Sequence, residues 1–186
     1  MEENIQLTTP LSEETIKKLK AGDMVYISGV VYTARDAAHK RMCELLDQGE
    51  PMPFDFTGAA IYYAGPCPAK PGRSIGSVGP TTSGRMDLYA PRLMKEGLKV
   101  MIGKGLRNQE VIDAIVSTNG VYFAAIGGAA ALMGQSVQSA EIVAFEDLGT
   151  EAVRRLVMEN LPVIVAIDSQ GRNIYDEGRK VYQQSL

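Results

Sequence analysis

One stretch of this chain excludes regular secondary structure. From Gly65 to Arg85 the sequence reads GPCPAKPGRSIGSVGPTTSGR, with five glycines and four prolines. Glycine costs backbone entropy in a helix or strand, and proline removes a donor. Long ordered loops of this kind in compact domains are usually functional. The same residues include the hydroxyls of Ser74, Ser77, Thr81, Thr82 and Ser83 and the cations Lys70, Arg73 and Arg85, with no acid among them. Strongly patterned segments flank the stretch, so it reads as a folded loop facing an anion.

The flanking segments alternate between strand and helix patterns. Ser12 caps a helix with Glu13 and Glu14 in its first turn, closed by Gly22. Residues 24–32 (MVYISGVVY) read as a strand with Gly29 as a bulge or close-approach point. Thr33 then caps a helix from Ala34 to about Gln48, ended by Gly49. A short buried strand, 59–63, leads into the loop. A helix from Ser83 to Glu96 follows, kinked or divided by Pro91. Next come a strand at 99–102, a helix capped by Asn108, and a strand at 121–126 leading into the small residues GGAAALMG. A strand at 141–145, a helix from Thr150 to Asn160, a strand at 162–167 and a turn at 168–171 complete the pattern. This alternation predicts an α/β fold with a largely parallel sheet, with some antiparallel pairing near residues 24–32 and near 162–175.

With 186 residues, the chain is long enough to bury a substantial core, and no linker divides it, so one domain over residues 1–186 is expected. A net charge of −3 offers no general attraction to nucleic acid or anionic membranes. No apolar run approaches a membrane span, and the acidic, polar N-terminus is unlike a signal peptide, which points to a cytoplasmic protein. His39, Cys43 and Cys67 are the only residues of their types, and they make no zinc or iron–sulfur spacing. No metal is expected on this chain alone.

Three basic residues fall at separate strand-to-helix junctions, where α/β proteins bind ligands. Arg35 lies at the start of the first long helix, with His39 four residues on and so on the same face. Arg85 follows Thr81 by four residues, and if that turn is helical the two share a face near an anion-binding helix start. Lys104 projects from IGKGLRN between Gly103 and Gly105. Arginine pairs with carboxylates in a bidentate manner and lysine adds a point charge, so the set suits a small polyanion such as a dicarboxylate. The bland alternatives are that Thr81 or Thr82 merely caps a helix, that Arg35 and Arg85 pair with surface acids, and that His39 is packed. Gly103-x-Gly105-x-x-Asn108 lacks the third glycine of a dinucleotide fingerprint, and no phosphate loop occurs. No general base with a suitable pKa is evident, so the chain reads as half of an active site.

Five segments together, GVVYTARDAAHKR, YYAGPCPAKPG, SVGPTTSGRMD, IGKGLRN and VYFAAIGGAAALM, resemble the beta subunit, or C-terminal domain, of class I iron–sulfur hydro-lyases. These comprise class I fumarases and L(+)-tartrate dehydratases. The resemblance covers roughly residues 10–180 and implies a swivelling β/β/α domain with a mixed, partly parallel sheet. It implies reversible hydration of fumarate to L-malate, or dehydration of tartrate to oxaloacetate. A [4Fe-4S] cluster held by the cysteines of an alpha subunit acts as the Lewis acid in this family, so a cluster-bearing partner and a hetero-oligomer are expected. Matched motif by motif, Arg35, Arg85 and Lys104 become substrate-binding residues. Thr81 becomes the proton-transfer residue or an orienting group, with His39 and Thr82 in support. Two other classes of function are open to the sequence: a dicarboxylate-binding module without catalysis, and a nucleotide-binding protein resting on the broken GKGLRN pattern.

Overall fold

A computed structural model describes residues 5–69, 71–72, 74–125, 130–176 and 178. Lys70, Arg73, Ile126 and the Gly127-Gly128 pair therefore lie outside the described residues. Among the described residues seven strands form one sheet: β1 (Ile5–Thr9), β2 (Met24–Thr33), β3 (Ala60–Tyr62), β4 (Val100–Gly103), β5 (Val121–Ala125), β6 (Val137–Ala144) and β7 (Val153–Ile167). The helices are α1 (Glu13–Lys18), α2 (Asp36–Gln48), α3 (Ala90–Lys95), α4 (Gln109–Thr118) and α5 (Ala130–Gln135). Strands β1 to β5 pair in parallel in the order β1-β2-β3-β4-β5, and β7 runs antiparallel to β5, β6 and β2. Because β7 bonds both β5 and β2, the sheet β2-β3-β4-β5-β7 closes on itself. The result is the mixed, partly parallel α/β fold expected, and β2 pairs antiparallel with residues 154–164 of β7.

Closure sorts the strand residues by alternation. Ala60, Tyr62, Val100, Ile102, Val121 and Phe123 join one buried cluster with Val25, Ile27 and Val163, inside the ring of strands. Their neighbours Ile61, Tyr63, Met101 and Tyr122 join a second cluster with Met42 of α2, Leu93 and Met94 of α3, and Val111 and Ile115 of α4. The helices thus cover the outer face of the parallel strands. Among the described residues no helix is long and apolar enough to cross a membrane.

Many boundaries follow from local chemistry. Ser12 Oγ accepts from the Thr15 N–H, Asn108 Oδ1 accepts from the Val111 N–H, and Gly49 ends α2 in the left-handed conformation. Gly29 is a close-approach point at a register shift in β2, since a Cβ there would lie 2.7 Å from Thr9 Oγ1. The segment around Pro91 is divided as expected, into a 3-10 turn at Ser83–Met86 and α3, with the proline in the first turn of α3.

Two expectations are corrected. Residues 150–160 are not a helix: a 3-10 turn at Glu146–Glu151 is followed by the 15-residue strand β7. Both edges of β7 find partners, β2 on one side and β6 then β5 on the other, and this pairing overrides the local helical pattern. Asn160, at φ 53°, sits opposite the Gly29 irregularity and donates its N–H to Ser28 Oγ, which lets one strand continue through what looked like a helix end. Thr33 is not a helix cap either. It remains in β2, paired with Tyr62 and Arg154, and its Oγ1 accepts from the Arg154 N–H.

Candidate functional site

The C-terminal ends of β2, β3 and β4 lie side by side, since Thr33 pairs with Tyr62 and Tyr62 with Ile102. Each chain turns away there into α2, the Gly/Pro loop and the Lys104 turn respectively. The loop leaves β3 at Ala64 and comes back to it: Ala64 bridges Pro80, and the Thr81 N–H donates to the Tyr63 carbonyl at 2.6 Å. Thr82 then bridges Lys104, and the Ser83 N–H donates to the Lys104 carbonyl at 2.8 Å. The loop end therefore extends the sheet between β3 and β4, and this brings Thr81, Thr82 and Lys104 to one edge. Among the described residues neither the Thr81 hydroxyl nor the Lys104 ammonium has a polar partner.

Thr81 and Arg85 do not share a helical face. The 3-10 turn begins at Ser83, and Thr81 is held as sheet extension by Tyr63, two residues before it. Thr82 occupies the cap position but makes no side-chain cap bond. Arg85 instead reaches across to α2, where its Nε donates to Asp36 Oδ1 at 2.9 Å.

Arg35 occupies the cap position of α2 without capping it. Glu151 takes that role across the fold: its Oε2 accepts from the Ala37 N–H at 3.0 Å and its Oε1 stands 3.2 Å from Arg35 Nη2. Asp36 links the two arginines, with Oδ2 3.9 Å from Arg35 Nη2 and Oδ1 on Arg85. Gly65 is where the loop passes over Arg35, since a Cβ there would lie 2.9 Å from Arg35 Nη1. Arg35 Nε and Asp36 Oδ2 are buried and have no hydrogen-bond partner among the described residues. The pairing of Arg35 and Arg85 with acids is thus present, and a ligand carboxylate at these cations would compete with Glu151 and Asp36.

His39 is completely buried, with its ring edge-on to Tyr63 at 5.2 Å. Its Nδ1 lies 2.9 Å from the Arg35 carbonyl, so it holds the backbone of Arg35 and does not face solvent. Burial, more than the nearby Arg107 charge, pushes its pKa down to about 4, and the ring is neutral near pH 7. With Nδ1–H donating to that carbonyl, Nε2 is left as a buried acceptor without a partner among the described residues.

Beneath these turns lies a network that sequence reasoning missed. Arg107, three residues after Lys104, is buried and donates through Nε to Asp87 Oδ1 at 2.6 Å. Asp87 Oδ2 also accepts from the Asn108 N–H at 2.6 Å. The Arg107 guanidinium lies 5.3 Å from the Tyr63 ring and 5.0 Å from the Tyr122 ring. The Tyr122 hydroxyl meets both Ser83 Oγ and the Gly105 carbonyl at 2.9 Å. The segments YYAGPCPAKPG, SVGPTTSGRMD, IGKGLRN and VYFAAIGGAAALM contain Tyr63, Asp87, Arg107 and Tyr122, but nothing in them distinguishes a buried arginine from an exposed one.

Cys43 is buried on α2 and Cys67 is exposed in the loop, and both are free thiols. Among the described residues no three His, Cys, Asp or Glu side chains converge to hold a metal ion. An iron–sulfur cluster does not fit this donor set. A cleft of about 390 Å³ lined by Cys67, Ser74, Glu141, Thr150 and Arg154 lies beyond the loop, and none of Arg35, Thr81, Arg85 or Lys104 lines it. Lys104, Arg85 and Thr82 are exposed, and Thr81 and Arg35 are half-buried, so these residues form a surface at the strand ends.

Comparison with known proteins gives this surface a context. A Methanocaldococcus jannaschii protein provisionally named L(+)-tartrate dehydratase subunit beta is 42% identical over 181 residues, covering 94% of this chain and 93% of that protein. The aerobic class I fumarate hydratases of Salmonella typhimurium and Escherichia coli are each 34% identical over 177 residues, covering 93% of this chain. The chain spans only 30% and 32% of those two enzymes' own lengths. The family described as Fumarase C-terminus matches residues 1–178, and the chain belongs to that family.

Proposed function

We propose that this chain is the dicarboxylate-binding subunit of a class I hydro-lyase, working in a cytoplasmic hetero-oligomer with an alpha partner that carries a [4Fe-4S] cluster. The reaction is the reversible addition of water to fumarate, giving L-malate. The observation that carries this reading is the gathering of Arg35, Arg85, Lys104, Thr81 and Thr82 at adjoining strand ends, with the Thr81 hydroxyl and the Lys104 ammonium free of polar partners among the described residues. Two guanidinium groups and an ammonium at one edge match a ligand with two carboxylates. The subunit naming of the M. jannaschii relative supports a partner.

In this reading Arg35 exchanges its Glu151 contact for a substrate carboxylate, while Arg85 and Lys104 hold the rest of the anion. In hydration, hydroxide adds to one alkene carbon and the other takes a proton, which Thr81 delivers and regains from water. The cluster, supplied by the partner, has no ligands among the described residues, and no step on this chain passes through it.

Dehydration of L-tartrate to oxaloacetate is a second reading, favoured by the higher identity of the M. jannaschii relative. The two substrates differ in hydroxyl content and share both carboxylates, so the same cations serve either. Anaerobic reconstitution with the cluster-bearing partner, followed by assays on fumarate and L-tartrate, tests the function and separates the readings. Turnover of either substrate that needs both chains supports a hydro-lyase. Saturable dicarboxylate binding by this chain with no gain of activity beside the partner would make it a binding module instead.

A further inference from the structure

Lys104 and Thr81 come from turns that are remote in sequence, and one buried hydroxyl ties those turns together. Tyr122 projects from the outer face of β5 and is completely buried, as is Ser83. A tyrosine hydroxyl has a single proton. Since it donates to the Gly105 carbonyl at 2.9 Å, the Ser83 hydroxyl, also 2.9 Å away, must donate to it. The chain of bonds therefore runs from Ser83 to Tyr122 to Gly105. Gly105 follows Lys104 directly, and Ser83 follows the Thr81-Thr82 pair.

A further hydrogen bond and two glycines make this a clamp. The Ser83 N–H donates to the Lys104 carbonyl at 2.8 Å, so Lys104 is gripped at its own carbonyl and at the next. Gly103 permits the approach, since a Cβ there would collide with Ser83 Oγ and lie 2.9 Å from Tyr63 Cδ2. Gly105 takes φ 83°, the left-handed region that turns its carbonyl without strain. Burial raises the Tyr122 pKa well above the ordinary tyrosine value, so the hydroxyl keeps its proton across the working pH range.

We propose that Tyr122 is a positioning residue for the candidate site. Through Ser83 and Gly105 its hydroxyl sets the spacing between the Thr81-Thr82 segment and Lys104, and so the separation at which two substrate carboxylates are held. This rests on the dicarboxylate reading above, since only a ligand touching both turns senses their spacing.

The test is Tyr122→Phe, which keeps the ring against Arg107 and removes only the hydroxyl, together with Ser83→Ala and the double variant. In the complex reconstituted with the partner, Tyr122→Phe should raise the KM for the dicarboxylate about fivefold to tenfold, the scale of one buried hydrogen bond. Assembly should be retained. The double variant should be little worse than Tyr122→Phe, because both changes break the same chain. A Tyr122→Phe complex of lowered thermal stability with KM within about twofold of the parent would make the residue merely structural and overturn the proposal. Hydrogen exchange of the Ser83 amide in the full chain gives a readout independent of activity. Faster exchange in Tyr122→Phe supports the clamp, and unchanged exchange refutes it even if the unaltered complex turns over neither substrate. That last result would count against the functional reading alone.

Discussion

Replacing Asp87 by alanine should be among the most damaging single changes in the outer layer of this fold. The Arg107 side chain has no exposed surface and that of Asp87 only 8%, with 2.6 Å between Nε and Oδ1. Removing the carboxylate strands a buried guanidinium between the Tyr63 and Tyr122 rings, and also takes the acceptor from the Asn108 N–H at the start of α4. Breaking one side of a buried ion pair typically costs about 3–5 kcal/mol, because the remaining charge is uncompensated. The whole stability of an ordinary domain is roughly 5–15 kcal/mol, so the loss is a large fraction of it. For a chain of this length the melting midpoint should fall by on the order of 10 °C. Urea unfolding of the isolated chain, with the m-value monitored, measures the loss directly. A loss below about 1 kcal/mol would refute the reasoning and mean that water reaches Arg107. The double replacement Asp87→Leu with Arg107→Met provides the control. It removes both charges together and should cost less than Asp87→Ala, which sums of independent contacts would not predict.

Other predictions follow from the site. Thr81→Ala in the reconstituted complex should abolish turnover with assembly preserved, and near-normal turnover would remove Thr81 from the chemistry. Gly103→Ala should destabilise the chain by about 1–3 kcal/mol, because Ser83 and Tyr63 must both move, and a melting midpoint equal to the parent's would contradict that close approach. His39 titrates near 4 in the fold against 6.5 when free, so the unfolded chain binds its proton more readily. Its stabilising effect is whole above about pH 6.5 and fades as pH falls towards 4, by on the order of 3 kcal/mol. His39→Gln should flatten the pH dependence of unfolding in that window, and an unchanged slope would show that His39 is not the group responsible.

The elements that could be read from sequence are those whose signals are local. Ser12, Asn108 and Gly49 mark helix ends with their own side chain or backbone, and they do so in the fold. Gly29 marks a close approach, and it makes one. Strand β7 does not show in the local pattern of residues 150–160, because its conformation is fixed by partners on both edges, reaching back to residues 24–33. The site divides in the same way. Arg35, Arg85, Lys104 and Thr81 stand at turns that strand and helix patterns locate. Glu151, which holds Arg35 and the start of α2, acts across 114 residues, and Asp87, Arg107 and Tyr122 work from beneath the surface. No spacing rule reports such partnerships, because they exist only once the sheet closes. The shared-face expectation for Thr81 and Arg85 failed for a related reason. The Tyr63 carbonyl takes the Thr81 N–H into the sheet before the turn begins.

The central claim is that this chain supplies the cations that hold a dicarboxylate, and Arg35 carries it most directly. The decisive measurement is the KM for fumarate, and in parallel for L-tartrate, of the complex reconstituted with Arg35→Ala. The side chain is half-buried, already engaged with Glu151, and has an unpartnered buried Nε. Loss of a charge pair of this kind removes about 2–5 kcal/mol of binding, so KM should rise on the order of 30-fold or more while the two chains still assemble. A KM equal to that of the unaltered complex, with assembly intact, would place Arg35 outside the substrate pocket and contradict the account.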